Sequence, residues 1–87
     1  MAKKYHIYIM TNTRHTVLYT GMTGDLIHRA WQHKQRLVDG FTKRYNCTKL
    51  VYVEEYDHPQ DAIDREKQIK AGSRQDKIDL IEQLNPN

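Results

Sequence analysis

The sequence predicts an α/β (α+β) domain in which a three-stranded antiparallel sheet is flanked by about three helices, in the order β-β-α-β-α-α. Three short segments rich in Ile, Val and Tyr are typical of strands, and a short polar linker joins the first two. The other segments have apolar residues at helical spacing and residues that favour helix ends. With 87 residues, the chain is expected to form one domain over residues 1–87 with a small core.

The first two strands are expected at residues 5–10 and 17–21, and the short linker between them favours an antiparallel hairpin. Side chains alternate between the two faces of a strand, so Tyr8 points away from the face of Ile7. Tyr19 can share the face of Tyr8. The hairpin is therefore expected to present a pair of tyrosines on one face.

The first helix is expected to begin near Asp25, with Thr23 or Asp25 as its N-cap. Its apolar residues are expected to form one arc that faces the core, made by Leu26, Ile27, Ala30, Trp31 and Leu37. Arg29, His33 and Arg36 follow the spacing i, i+4 and i+7 along the edge of that arc. We expect these three side chains to lie side by side and face a cleft.

The third strand is expected at residues 49–56, beside the hairpin. Strict alternation would place Val51 and Val53 on one face of this strand, and Leu50 and Tyr52 on the other.

The last two helices have recognisable end signals. Pro59 suits the first turn of one helix and Gly72 can end it. Ser73 and Asp76 have the spacing of a capping box that opens the next helix, which is expected to end near residues 85–86. The inner face of that last helix is expected to consist of Ile78, Ile81 and Leu84.

Glu66 lies within the apolar stripe of the helix that Pro59 opens. Its neighbours at i−4, i−3, i+3 and i+4 are Ala62, Ile63, Ile69 and Lys70. A carboxylate that faces a core is costly unless it is paired or bound to a cation. Two interpretations follow: Glu66 binds a metal ion, or it forms a buried ion pair with Arg29.

The net charge of +3 is unevenly distributed. Residues 1–49 carry nine Lys or Arg and two acids, whereas residues 50–87 carry five Lys or Arg and nine acids. Because the basic half contains Tyr8, Arg29 and His33, the asymmetry favours a polyanionic partner. Surface charge that only maintains solubility would give the same imbalance.

Several classes of protein are disfavoured. Cys47 is the only cysteine, which argues against a disulfide framework and fits a reducing cytosol. No apolar run approaches membrane-spanning length and the N-terminus lacks a hydrophobic signal region, so we expect a cytoplasmic protein without a membrane partner. The sequence also lacks a Gly-rich phosphate loop, a Cys/His zinc site and a serine triad.

Taken together, these motifs resemble the GIY-YIG nuclease domain, and most of all its small stand-alone bacterial members. The resemblance begins with the tripeptides HIY at residues 6–8 and YTG at residues 19–21, and it covers nearly the whole chain. Arg29, His33 and Glu66 follow in the expected order. His6 replaces the first glycine of the signature and Thr20 replaces an aliphatic residue, at positions that supply no obvious chemistry.

The resemblance implies a metal-dependent DNA endonuclease that hydrolyses phosphodiester bonds, in DNA repair or processing. It matches Tyr8 and Tyr19 to the signature tyrosines, one of which helps to activate the attacking water. It matches Arg29 to a phosphate-binding arginine and His33 to an auxiliary active-site residue. It matches Glu66 to a single carboxylate that binds a divalent metal, Mg²⁺ or Mn²⁺, and Mg²⁺ commonly retains water beside one or two carboxylates.

A second candidate for contact with DNA is the segment F-T-K-R-Y at residues 41–45. Lys43 and Arg44, together with Arg36, would bind phosphates while Phe41 or Tyr45 stacks on an unpaired base. An equally good interpretation is that the two aromatic rings only anchor the segment on the small core.

Two other functions remain open from the sequence. One is a nucleic-acid-binding module that keeps the scaffold without turnover, and the other is a protein-interaction adaptor whose basic face is incidental. The adaptor predicts no salt-sensitive binding to DNA. Because the chain has no room for a separate recognition domain, we expect weak or structure-dependent selectivity for DNA, or a protein partner that supplies it.

Overall fold

The computed structural model describes residues 3–37 and 40–84. Three strands, β1 (Tyr5–Thr11), β2 (Leu18–Thr23) and β3 (Lys49–Tyr56), form one antiparallel sheet. The helices of the described residues are α1 (Leu26–Lys34), the short α2 (Phe41–Arg44), α3 (Pro59–Ala71) and α4 (Arg74–Leu84). The predicted order β-β-α-β-α-α is confirmed, with α2 added between α1 and β3.

β1 is the central strand of the sheet, between β2 and β3. Residues 7–11 are buried without a break because both faces of this strand are covered. On one face Ile9 packs with Ile69 of α3. On the other face Tyr8 and Met10 pack with Cys47, which is fully buried. The sheet therefore separates two small cores, and Tyr8 belongs to one of them.

β3 departs from the alternation that the sequence predicted. Its register with β1 shifts between Ile9 and Met10, and Val51 lies at the shift. Because a bulge inserts one residue into the strand, Val51 and Tyr52 both pack against the core of Ile9, whereas Val53 packs against the other core. The prediction that Val51 and Val53 share a face is wrong for this reason.

α1 begins where the sequence predicted, because the side chain of Asp25 accepts a hydrogen bond of 3.1 Å from the backbone N–H of His28. The expected apolar arc, however, faces the core only in part. Leu26 packs against one of the two cores, but Ile27 is 85% exposed and Trp31 is 51% exposed. The buried residue of the helix is His33, so hydrophobicity alone did not identify the buried face.

Both predicted ends of α3 and the predicted start of α4 are confirmed. Pro59 is the first residue of α3, and Gly72 follows its last residue. Ser73 and Asp76 form the capping box, in which each backbone N–H donates to the other side chain at 3.0 Å. The expected end of α4 at residues 85–86 lies outside the described residues.

The inner face of α4 differs from the prediction at two residues. Leu80, which was not predicted, packs with Ile81 against the core of Ile9, whereas Leu84 is 52% exposed. Leu84 is the last residue of the helix. Within the described residues, no helix combines the length and the apolar character needed to cross a bilayer.

Candidate active site

Two tyrosines of the hairpin meet over a glycine. Tyr8 of β1 is paired with Gly21 of β2, and its ring lies across the glycine. A Cβ atom at Gly21 would lie 2.5 Å from both Cζ and Oη of Tyr8, and 3.1 Å from Cε2 of Tyr19. The ring centroids of the two tyrosines are 6.4 Å apart. The close approach of both rings therefore requires a residue without a side chain at this position.

His33 completes the cluster from α1. Its ring is 2% exposed, and Nε2 lies 3.0 Å from Oη of Tyr8. The ring centroid of His33 is 5.5 Å from that of Tyr8 and 5.7 Å from that of Tyr19. Three side chains that the sequence analysis matched to active-site positions therefore converge on one point beside the hairpin.

Burial shifts the pKa values of this cluster in opposite directions. The pKa of Tyr8 is raised well above its ordinary value, mainly by burial and also by the nearby Tyr19. The pKa of His33 is lowered by burial, and the positive charge of Arg29 lowers it further. The hydrogen bond between Tyr8 and His33 therefore joins two neutral groups at neutral pH.

The second ring nitrogen of His33, Nδ1, is buried and has no hydrogen-bond partner among the described residues. The hydrogen bond made by one ring nitrogen commonly fixes which nitrogen carries the proton. Without such a bond at Nδ1, the imidazole can either accept a hydrogen bond from the phenol of Tyr8 at Nε2 or donate one to it. This freedom is useful for a group that moves protons.

Arg29 and Glu66 lie close enough to Tyr8 for their charges to affect its pKa. Arg29 is half-buried on α1, and within residues 3–37 and 40–84 its guanidinium makes no ion pair. The side chain of Glu66 is 21% exposed and contacts Lys70 at 3.5 Å. The structure therefore does not contain the ion pair between Glu66 and Arg29 that was one interpretation of the sequence.

Glu66 is the carboxylate available to a metal ion at this site. No group of three or more His, Cys, Asp or Glu side chains in the described parts of the chain could hold a metal. Mg²⁺ does not require such a group, because it commonly keeps several waters and binds one or two carboxylates together with substrate phosphates. With one contact of 3.5 Å to Lys70, the carboxylate of Glu66 retains capacity for a hydrated ion. The donor set fits Mg²⁺ or Mn²⁺ and does not fit a closed zinc site.

A ladder of aromatic rings leads from Tyr19 to the surface. Phe41 of α2 stacks on Tyr19 with centroids 6.0 Å apart, and Tyr45 packs on Phe41 at 4.7 Å. The guanidinium of Arg44 lies 5.5 Å from the ring centroid of Tyr45. Phe41 and Tyr45 remain 46% and 41% exposed, so they do not act only as buried anchors; Thr42 is the buried residue of this segment.

Arg36 does not lie where the sequence predicted. α1 ends at Lys34, and Arg36 follows it with a positive φ of 60°. Its exposed side chain therefore does not continue the row of Arg29 and His33 along the helix edge. The helix is shorter than the i, i+4, i+7 pattern required, because its C-terminal turn is followed directly by left-handed backbone.

A partly buried ionic network on the other face of the sheet was not predicted. The carboxylate of Glu54 accepts hydrogen bonds from the phenols of Tyr52 and Tyr56 and from Arg65 of α3, whose Nε lies 3.0 Å away. Burial raises the pKa of Glu54, but the hydrogen bonds from Arg65 and the two phenols outweigh it and hold the pKa below its ordinary value. The available signal was the i, i+2, i+4 spacing of Tyr52, Glu54 and Tyr56.

Comparison with known proteins adds an independent finding. The family model described as the GIY-YIG catalytic domain matches residues 4–79. A UPF0213 protein of Staphylococcus saprophyticus is 37% identical over 78 residues, which cover 90% of this chain and 94% of that protein. A UPF0213 protein of Syntrophus aciditrophicus is 38% identical over 87 residues, covering 99% of this chain and 97% of that protein.

The fold is also found in a solved structure. The solution NMR structure of a UPF0213 protein from Bacillus halodurans matches with a TM-score of 0.57 and 24% identity, over 90% of this chain and 82% of that chain. This similarity confirms the predicted three-stranded sheet with its flanking helices.

Proposed function

Because the chain belongs to the GIY-YIG catalytic domain family, we propose that it is a metal-dependent DNA endonuclease that hydrolyses phosphodiester bonds. The observation that carries the proposal is the hydrogen bond of 3.0 Å between Oη of Tyr8 and Nε2 of His33, next to the charge of Arg29. A proton acceptor and a phosphate-binding cation are the groups that such a reaction requires. The proposed setting is DNA repair or processing in the cytoplasm.

We assign to Tyr8 the activation of the attacking water. A stable phenolate is unfavourable here, since the pKa of Tyr8 is raised. A proton relay avoids it: the water proton passes to Oη of Tyr8 while the phenol proton passes to Nε2 of neutral His33. The water oxygen then forms the new P–O bond as the bond to the leaving sugar oxygen breaks, and that oxygen takes a proton from solvent water. The lowered pKa of His33 keeps its imidazole free to accept the proton at neutral pH.

We assign to Arg29 the binding of the scissile phosphate. Its guanidinium is half-buried and has no ion-pair partner in the described segments of the chain, so a phosphate oxygen can satisfy it. Tyr19 lies between the relay and the ring of Phe41 and would orient the substrate beside Tyr8.

Glu66 would hold the divalent ion, Mg²⁺ or Mn²⁺. When bound, the ion would stabilise negative charge on the phosphate and on the leaving oxygen. Lys70 contacts Glu66 at 3.5 Å and is 52% exposed, so this lysine can move aside when a cation binds. A bound divalent cation would therefore compensate the charge of Glu66 better than its single contact with Lys70 does.

DNA would approach from the side of the aromatic ladder. Lys43, Arg44 and Arg36 are assigned to backbone phosphates, and Tyr45 to stacking on a base. The selectivity of this small interface is expected to be weak or to depend on DNA structure. A protein partner would then supply further selectivity.

The test is cleavage of labelled duplex, nicked, single-stranded and branched DNA with Mg²⁺, with Mn²⁺ and with chelator. The proposal expects metal-dependent cleavage that falls on the order of a hundredfold or more in Tyr8→Phe and in Arg29→Ala. Tyr5→Phe is the matched control, because it removes a phenol from the same strand outside the cluster. DNA binding without cleavage of any substrate would instead identify a binding module on this scaffold.

A further inference from the structure

A groove of about 530 Å³ lies away from the tyrosine cluster, between the ends of the strands and α4. Its floor is aliphatic and is formed by Leu18, Leu50, Val51, Ile78 and Ile81. Leu18 and Val51 pack with the core of Ile9, whereas Tyr8 and Tyr19 belong to the opposite core. The groove therefore opens on the other side of the sheet from the tyrosine cluster.

One end of the groove is positively charged. Nζ of Lys49 lies 3.1 Å from Nε2 of His15, and Arg74 donates a hydrogen bond of 3.1 Å to the backbone carbonyl of His15. Within residues 3–37 and 40–84, no carboxylate forms an ion pair with Lys49 or Arg74. Basic side chains gathered around one loop residue without an ion-paired carboxylate indicate a site for an anionic group.

The other end of the groove is marked by Glu82. Arg74 and Glu82 are eight residues apart on α4, which corresponds to about 12 Å along a helix. Ile78 and Ile81 lie between them and line the floor. The groove thus has the length of about two helical turns, with a basic end, an apolar centre and one acid at the far end.

We infer that this groove is a docking site for an acidic amphipathic helix of a partner protein. Such a helix would place two aliphatic side chains, three or four residues apart, on the floor and a carboxylate against Lys49 and Arg74. DNA does not match this surface, because no Phe, Tyr or Trp ring lines it and its floor is aliphatic. This inference does not depend on the proposed nuclease activity.

A second copy of the chain is a poorer match than an acidic partner. The most exposed apolar helix surface is that of Ile27 and Trp31 on α1. The cations Arg29 and Lys34 belong to the same helix, and they would be repelled by the basic end of the groove. A partner that docks here would leave the tyrosine face open to substrate, so it could direct the domain without blocking it.

The experiment selects binders from a phage-displayed library of random peptides on the whole protein. The variants are Lys49→Glu and Arg74→Glu at the basic end, Leu50→Ser in the floor, and Lys67→Glu on α3 as the matched control. Arg74 is the first residue of α4, where a negative charge favours the helix, and Leu50 is 39% exposed, so these variants should fold. Melting curves verify this.

The expected result is enrichment of peptides with acids at one end and aliphatic residues three or four apart. Binding of a synthetic enriched peptide should weaken about tenfold or more in the two charge reversals and in Leu50→Ser, and stay unchanged in Lys67→Glu. The inference is overturned if no peptide is enriched, or if the enriched peptides bind all variants equally. It is also overturned if the charge reversals abolish a dimer in sedimentation or weaken DNA binding instead.

Discussion

Gly21 lies directly beneath the phenol of Tyr8, and there is no space for a methyl group between them. A Cβ atom at this position would approach Tyr8 to 2.5 Å, and the Tyr8 ring is 3% exposed and cannot move freely. The third residue of the YTG tripeptide is therefore a glycine for a steric reason. It allows the two tyrosines and His33 to meet.

The first prediction follows from this contact. Gly21→Ala should destabilise the fold by about 1–3 kcal/mol, because the added methyl overpacks a buried ring, and it should reduce cleavage by displacing Oη of Tyr8 from His33. Gly24→Ala is the matched control, since its Cβ would clash with the flexible end of exposed Lys3 and would lie at an ordinary 3.7 Å from the ring of Tyr5. Thermal melts and cleavage rates check both variants, and equal behaviour of the two would contradict the steric role of Gly21.

The second prediction concerns acid stability. The pKa of His33 in the folded protein is lower than its ordinary value of 6.5, so the unfolded chain binds a proton more readily than the folded one. Protonation then favours unfolding, and stability should decrease as the pH falls below about 6.5 towards the folded pKa. In His33→Asn this part of the decrease should disappear from melting temperatures measured between about pH 7.5 and about pH 5.5.

The control for this experiment is His28→Asn, because His28 is exposed on the same helix. A second loss of stability, at lower pH, should remain in both variants. The pKa of Glu54 is held below its ordinary value of 4.5, so its contribution is present above that pH and is lost only as the pH falls through the folded pKa. An unchanged pH profile in His33→Asn would show that the imidazole is not buried as a neutral group.

The third prediction distinguishes a metal ligand from a structural carboxylate at Glu66. Glu66→Gln should abolish metal-dependent cleavage and leave the melting temperature nearly unchanged, because the contact with exposed Lys70 is worth only about 0.3–0.5 kcal/mol. Titration with Mg²⁺ or Mn²⁺ should stabilise the wild type and not the variant. Asp64→Asn, on the same helix, should retain both the cleavage and the response to metal.

The opposite outcome would contradict the assignment of Glu66 as a metal ligand. Destabilisation by several kcal/mol, in a protein whose melting temperature never responds to metal, would mean that the carboxylate is a structural partner.

The fourth prediction concerns the cationic and aromatic surface. Replacing Lys43 and Arg44 by alanine should weaken binding to DNA of any sequence and reduce its salt dependence, because two contacts that release counterions are removed. Fluorescence anisotropy at several salt concentrations measures both effects. Lys67→Ala with Lys77→Ala removes the same charge from α3 and α4 and should change binding less. If the two double variants behave alike, DNA does not contact this surface.

The sequence by itself determined the elements other than α2 and most of their boundaries. β3 has the predicted bounds, Lys49–Tyr56, and the caps at Asp25, Pro59 and Ser73 are where their residue types indicated. These signals act over a few residues, through hydrogen bonds of the first helical turn and the alternation of a strand. That Tyr8 and Tyr19 share one face of the hairpin was predictable for the same reason, since it needs only the alternation of side chains along two adjacent strands.

Only the tertiary structure decided which surface of each element is buried. α1 turns His33 towards Tyr8 and leaves Trp31 outside, because a specific hydrogen bond and the shape of the neighbouring core outweigh the hydrophobicity of one residue. The shift at Val51 depends on the register between two strands that are distant in sequence. The network of Glu54 with Arg65 requires α3 to lie across β3. Such contacts join residues far apart in the chain, so no local pattern encodes them.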